Sequence, residues 1–208
     1  MKGIESIYRK LPPEEIPWNN ETPPAELVEL VGSGKVKPCK SADMGCGMGN
    51  YTIYLAGRGF EMTGVDSSHT AIKLARENAK AHGASCSFQI SDVLGRLNRV
   101  KGPFDFIYDW DLLHHIFPEK RLKYVENVYR LLRTGGKYFS VCFSEKDPQF
   151  GGSGKYRRTR IGTLLYFSSE DELKTLFDPY FKIIDLKTIK ISGKSEPHQA
   201  NYVFMERK

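Results

Sequence analysis

Behind its first expected strand the chain reads Asp43-Met44-Gly45-Cys46-Gly47-Met48-Gly49, and the next two expected strands end in Val65-Asp66 and Ser91-Asp92. Glycines at alternate positions let the backbone turn sharply and come closer to a ligand than any Cβ would permit. An acid closing the following strand accepts hydrogen bonds from ribose hydroxyls. Together these features mark a nucleotide-type cofactor site in an α/β fold. A dinucleotide loop holds a pyrophosphate on a helix N-terminus and needs no acid before its first glycine. The Asp43 carboxylate would repel a pyrophosphate but suits a cofactor carrying an ammonium or sulfonium group, which points away from a nicotinamide cofactor.

Strand and helix alternate along the chain. Thr22-Pro23-Pro24 opens a helix whose apolar face carries Leu27, Val28, Leu30 and Val31, stopped by Gly32 to Gly34. A short strand then runs to Asp43, residues 51–56 are expected as helix, 60–65 as strand, and 68–82 as a helix closed by Gly83. Further strands are expected over 86–90 and 104–108, a helix over 118–132 ended by Gly135-Gly136, and a strand over 137–143. Such alternation gives parallel strands with right-handed crossovers and places ligands beyond the carboxyl ends of the strands, where the motif acids fall. After the glycine-rich segment 150–154, Ser169-Glu170-Asp171-Glu172 forms a capping box that opens a helix to Phe177. Residues 181–191 and 198–205 then pair across Ser192-Gly193-Lys194 as an antiparallel hairpin.

A length of 208 residues suffices for one domain around one core. No apolar run approaches the ~20 residues needed to span a bilayer, and Met1 to Glu5 lack the layout of a secretory signal, so a cytoplasmic protein is expected. Cys39, Cys46, Cys86 and Cys142 contain no C-x-x-C pair and read as reduced thiols, with no metal site. The net charge of +6 is scattered, so no specific nucleic-acid partner is expected. The densest basic cluster, Lys155, Arg157, Arg158 and Arg160, reads as a solvated loop, the alternative being a hold on an anionic substrate.

The run Asp43-x-Gly45-Cys46-Gly47-x-Gly49 resembles the cofactor loop of the class I S-adenosylmethionine-dependent methyltransferases, and the similarity extends from about Pro38 to the C-terminus. The resemblance implies a Rossmann-like fold with a seven-stranded, mostly parallel sheet ending in an antiparallel hairpin. It implies S-adenosylmethionine as cofactor, S-adenosylhomocysteine as product and a small-molecule acceptor, in a branch like the thiol methyltransferases. Residues 35–208 would form the cofactor domain and residues 1–34 an arm and helix closing over it. Asp43, Gly45, Cys46, Gly47, Gly49, Asp66, Ser67, Asp92, Val93 and Asp109 are the expected cofactor contacts, Asp66 toward the ribose and Asp92 toward the adenine amine.

In the segment 104–116 the resemblance places polar groups past the strand end around the transferred methyl, with Asp111 or His114 as base and His115 nearby. Tyr8, Trp18 and Tyr51 would form an aromatic wall, the first two carried by a proline-stiffened arm. Asp109-Trp110-Asp111-Leu112 is not the Asn- or Asp-Pro-Pro-aromatic run of enzymes that methylate exocyclic amines of bases, so nucleic-acid or protein modification is the lesser reading. A protein that binds S-adenosylmethionine without transferring the methyl also stays open, as do the acceptor atom and the oligomeric state.

Overall fold

Seven strands form one sheet in the order β3-β2-β1-β4-β5-β9-β8 in the computed structural model, which describes residues 2–151, 154–194 and 196–208. The strands of this sheet are β1 (Lys40–Met44), β2 (Glu61–Asp66), β3 (Ser87–Ile90), β4 (Phe104–Trp110), β5 (Leu132–Phe143), β8 (Phe181–Ile191) and β9 (His198–Arg207). β1 pairs in parallel with both β2 and β4, so strand order reverses beside β1 and leaves a crevice at the carboxyl ends. β9 runs antiparallel to β5 and to β8, as the expected hairpin requires. The fold is the Rossmann-like one that the alternation of elements implies.

Helices α2 (Ala25–Gly32) and α3 (Asn50–Ala56) cover one face of the sheet, where Leu27, Leu30 and Leu55 pack on Phe106, Tyr108 and Phe139. α5 (Pro118–Leu131) and α6 (Glu170–Phe177) cover the other, placing Tyr124, Val125, Val128, Leu173 and Phe177 against Ile107 and Tyr138. Pro118 opens α5 at a position whose N–H would have no helical partner, and Ser169 with Glu172 closes the capping box of α6. α4 (His69–Ala81) lies over β3, where Gly49 allows the closest approach. A Cβ there would stand 2.8 Å from the Phe88 ring and 3.1 Å from Ala75, and the residue has φ +79°. Gly49 therefore serves packing between the loop, β3 and α4, and does not line the cofactor cleft as expected.

Three elements differ from the sequence reading. Residues 2–10 form a helix, α1, which the prolines after it had masked; Ile4, Ile7, Tyr8 and Leu11 recur at helical spacing and pack on Met48 and Ala71. β5 begins at Leu132 rather than after Gly136, so Gly135 at φ +72° bends the strand's start instead of separating helix from strand. Residues 156–166 add a small antiparallel pair, β6 (Tyr156–Arg158) and β7 (Leu164–Tyr166). Of the glycine-rich segment 150–154, Gly152 and Ser153 lie outside the described residues.

The small pair also corrects part of the reading of the basic cluster as solvated: Arg158 and Arg160 are exposed, but Arg157 and Lys155 are engaged by the chain. Arg157 is 3% exposed. Its guanidinium donates to the carbonyls of Glu145 (2.7 Å), Gly154 (2.9 Å), Gln149 (3.2 Å) and Asp147, and stacks 4.2 Å from the Phe167 ring. Lys155 pairs with Glu172 at 2.7 Å and with Glu145 at 3.2 Å. Arg157→Ala would leave these carbonyls unmet and remove the stacked plane. The expected cost is about 3 kcal/mol, which lowers Tm by roughly 6–12 °C for a chain of this size. Thermal unfolding followed by circular dichroism checks it, and a loss under about 2 °C would contradict the pinning role.

Candidate active site

A cleft open to solvent at its mouth lies over the carboxyl ends of β1, β2 and β4. Its floor is the loop 43–48, one side is Asp66, Ser67 and Val93, and the other is Tyr51, Trp110, Asp111 and Leu112. Ile4, Tyr8, Trp18, Asn19 and Asn20 from the arm close it from above.

Asp43 ends β1 almost wholly buried. Thr52 Oγ1 (2.7 Å) and Tyr108 OH (2.8 Å) both donate to its Oδ2, so α3 and β4 fix the carboxylate at the cleft floor. Burial pushes its pKa up to about 7, against the pull of these two donors. Asp66 ends β2, 8% exposed, and accepts from Gly47 N at 3.0 Å and Ser68 N at 2.8 Å. One carboxylate thus holds the glycine loop and the start of α4 together, and each oxygen keeps a second acceptor site. Burial raises its pKa as well, with the backbone donors opposing. Gly47 at φ +53° is packed beneath the Tyr8 hydroxyl, which stands 2.8 Å from where a Cβ would be. Only glycine fits there while the arm is in place.

Asp111 follows β4 with φ +62°, an uncommon conformation for a residue other than glycine. Its N–H donates to Val141 O at 3.0 Å, which fixes the backbone, while Oδ1 is buried without a hydrogen-bond partner. Burial raises its pKa to about 7, with the charge of His198 pulling the other way. A strained residue holding an unsatisfied carboxylate oxygen in a cleft is the pattern of a reactive group. His115 also lines the cleft, its ring edge-on to Trp18 at 5.9 Å, and burial lowers its pKa to about 4, so the imidazole is neutral. Trp18 Nε1 donates to Tyr8 OH at 2.8 Å, joining both arm aromatics in one wall.

Three expected site residues face elsewhere. Asp109 is fully buried beneath the site, where Tyr124 OH (2.9 Å), Ser140 Oγ (2.9 Å) and Tyr138 OH all donate to it. It is a satisfied core acid rather than a cofactor contact. His114 stacks on Phe143 at 4.2 Å and accepts from Phe143 N at 3.3 Å, with burial holding its pKa well below the usual range. His115, not His114, is the histidine at the cleft. Asp92 is exposed and accepts from Leu94 N at 2.9 Å, the ordinary geometry of a turn aspartate, while its neighbour Val93 lines the cleft. Ile4, Met48, Asn20, Asn50, Trp110 and Leu112 line the cleft without having been singled out. Asn50, directly after the glycine run, was the one with a positional signal.

The arm is fastened at three places. Glu5, on α1, accepts from Ser68 Oγ at 2.5 Å and Thr70 Oγ1 at 2.7 Å at the start of α4, and these bonds lower its pKa. Asn50 Nδ2 donates to Asn19 Oδ1 (3.0 Å) and Asn20 O (2.9 Å). Lys194, in the β8–β9 turn, donates to Ile16 O at 2.7 Å and Glu14 O at 2.9 Å. Among the described residues there is no cluster of His, Cys, Asp and Glu able to hold a metal ion, and no helix long and apolar enough to cross a membrane.

Known proteins are similar to this chain in sequence and fold. The family described as "Methyltransferase domain" matches residues 42–136, which span the glycine loop, the three strand-end acids and β4. A 2-heptyl-1-hydroxyquinolin-4(1H)-one methyltransferase of Mycobacteroides abscessus is 28% identical over 203 residues, covering 94% of this chain and 83% of its own. A structure solved in work on the conversion of a disulfide bond into a thioacetal group during echinomycin biosynthesis superposes with a TM-score of 0.84 at 24% identity, covering 100% of this chain and 92% of that one. The Burkholderia thailandensis 1,6-didemethyltoxoflavin-N1-methyltransferase, solved with its acceptor and S-adenosylhomocysteine, superposes at 0.77 with 20% identity, covering 100% of this chain and 86% of that one. The glycine loop, the strand-end acids and the family match agree, and the chain carries a methyltransferase domain like those of the class I S-adenosylmethionine-dependent methyltransferases.

Proposed function

We propose that this protein moves a methyl group from S-adenosylmethionine to a flat small-molecule acceptor by in-line displacement, with Asp111 as the base and residues 1–34 as a lid. The observation that carries the reading is Asp111 itself, strained, half-buried and with one buried carboxylate oxygen unpartnered at the cleft. When bound, S-adenosylmethionine supplies a methyl already activated on a sulfonium. The residues present suit that group. Asp43 and the backbone of Gly45 and Gly47 would hold its cationic amino-acid end, Asp66 its ribose hydroxyls, and Ser67 and Val93 would flank its base. The unmet Asp111 oxygen and the raised pKa of Asp43 both favour a positively charged ligand.

What remains for the protein is to align the acceptor and keep water out. Trp18, Tyr51, Trp110 and His115 give the cleft aromatic walls suited to a flat ring. The relatives support that class, since the Mycobacteroides protein is named for a hydroxyquinolone and the Burkholderia protein for a toxoflavin precursor. The placement of Arg157 and Lys155 also supports a small molecule over nucleic acid, because two of the four residues of the densest basic cluster hold carbonyls and carboxylates of the chain itself.

Asp111 removes a hydroxyl or ammonium proton only when ionised. With its pKa near 7, turnover on a phenol acceptor should climb about tenfold per pH unit below 7 and level off above it. Asp111→Asn should lose that limb and fall by roughly 10²–10⁴-fold, measured as S-adenosylhomocysteine release. An unchanged rate and profile in a folded Asp111→Asn protein would remove Asp111 as base.

The arm supplies Tyr8 and Trp18 to the cleft roof, so ligand exchange through that side requires it to lift. Glu5 and Lys194 are the parts of its fastening that lie outside the cleft. Removing residues 1–19 should leave a folded domain that binds S-adenosylmethionine within a few-fold of the intact chain and turns over at least tenfold more slowly, because alignment and water exclusion act in the transition state. Glu5→Ala should leave Kd nearly unchanged and alter kcat. Differential scanning fluorimetry beside turnover decides the matter, and normal turnover per folded molecule in the truncated protein would sink the lid.

A further inference from the structure

We infer that the acceptor carries an aliphatic chain, and that a groove between α1 and the β6–β7 turn holds it. The inference rests on the methyl-transfer reading above and deepens it by naming a substrate class. The groove runs beside the cleft, and Ile4 and His115 line both, so the two spaces adjoin. Its walls are Ile4 and Ile7 from α1 with Leu11 just past its end, and Phe117, Ile161 and Leu164 from the opposite side. Lys10 is its sole lysine, arginine, aspartate or glutamate, and His115 is neutral.

The residues on the α1 side explain the shape. Ile4, Ile7 and Leu11 repeat at three and four positions and form one stripe of the helix, half-buried against the domain, with the groove taking the remaining apolar surface. From Ile4 to Leu11 the stripe is roughly 10 Å long at the helical rise per residue. Opposite it, Ile161 is 41% exposed at the tip of the turn between β6 and β7, a position where a surface residue is ordinarily polar. An apolar stripe facing an exposed isoleucine, opening at one end into the cleft, fits an extended alkyl chain joined to a ring beneath Trp18. A purely polar acceptor would leave the groove without a role.

Chain length is therefore the probe. With the protein saturated by S-adenosylhomocysteine, 4-hexylphenol should bind at least tenfold more tightly than 4-methylphenol, since burying about two methylenes is worth that factor. Ile161→Asp, on an exposed turn, should reduce this advantage to threefold or less and leave 4-methylphenol binding as it was. Leu122→Asp, an equally exposed apolar site on α5 that is 51% exposed, should change neither phenol. Equal affinity for the two phenols, a hexyl advantage that survives Ile161→Asp, or one that Leu122→Asp abolishes equally would overturn the groove. Because binding is read without turnover, chain-length selectivity in a protein that never releases S-adenosylhomocysteine would fail the methyl-transfer reading while upholding the groove.

Discussion

The carboxylate of Asp43 is buried at the switch in strand order, and much of the site is arranged around keeping it there. Thr52 brings the first turn of α3 to it and Tyr108 brings β4, so the glycine loop between Asp43 and α3 is held from both sides. Burying a carboxylate with only hydroxyl donors is unfavourable, which is why its pKa rises to about 7. Asp109 and Asp111 stand near the same sheet edge with pKa values raised to about 6 and about 7 by burial. In the folded chain these acids hold protons over a range, from about 4 to about 7, in which an unfolded chain has released them. Stability contributed in this way is complete below pH 4 and is lost as pH rises toward 7. A cationic ligand offsets that loss, so the feature that strains the free protein is the one that selects the cofactor's charge.

Asp109 and Asp111 show how two acids at one strand end take opposite roles. Asp109 sits within β4 and finds three hydroxyls, from Tyr124, Tyr138 and Ser140. Asp111 lies past the strand's end in a left-handed conformation, pinned by its N–H to Val141, and its Oδ1 finds none. The histidines divide likewise. His114 packs into the core against Phe143, and His115 turns to Trp18 and the cleft. In both pairs one member is fully packed in the core and its neighbour faces the cleft.

The fold was legible because its signals are local: glycines at alternate positions, acids closing strands, a capping box at Ser169 and a hairpin around Gly193. Parallel topology follows from that order by the handedness of crossovers. The site was legible at Asp43, Gly45, Cys46, Gly47, Asp66, Ser67, Val93, Asp111, Tyr8, Trp18, Tyr51 and His115, all of which the structure brings to one cleft. Asp92, Asp109 and His114 were misplaced, because whether a polar side chain turns to the cleft, to its own turn or to three tyrosine and serine hydroxyls is a matter of tertiary packing. The helix at residues 2–10 was hidden by the prolines that follow it, although its apolar spacing was present. The buried role of Arg157 could not be read from a cluster of basic residues, since the carbonyls it holds come from chain segments up to 12 residues away.

The central claim, that a buried carboxylate at the end of β1 makes the cleft a site for a cationic cofactor, is tested by titrating S-adenosylmethionine into the wild-type protein and Asp43→Asn by calorimetry between pH 5.5 and 7.5. Ionised Asp43 is needed for most of the attraction, so the wild-type Kd should fall roughly tenfold between pH 6 and pH 7.5 while that of Asp43→Asn changes clearly less, by what Asp66 and Asp111 still contribute. A wild-type Kd independent of pH, or the same slope in folded Asp43→Asn, would contradict it.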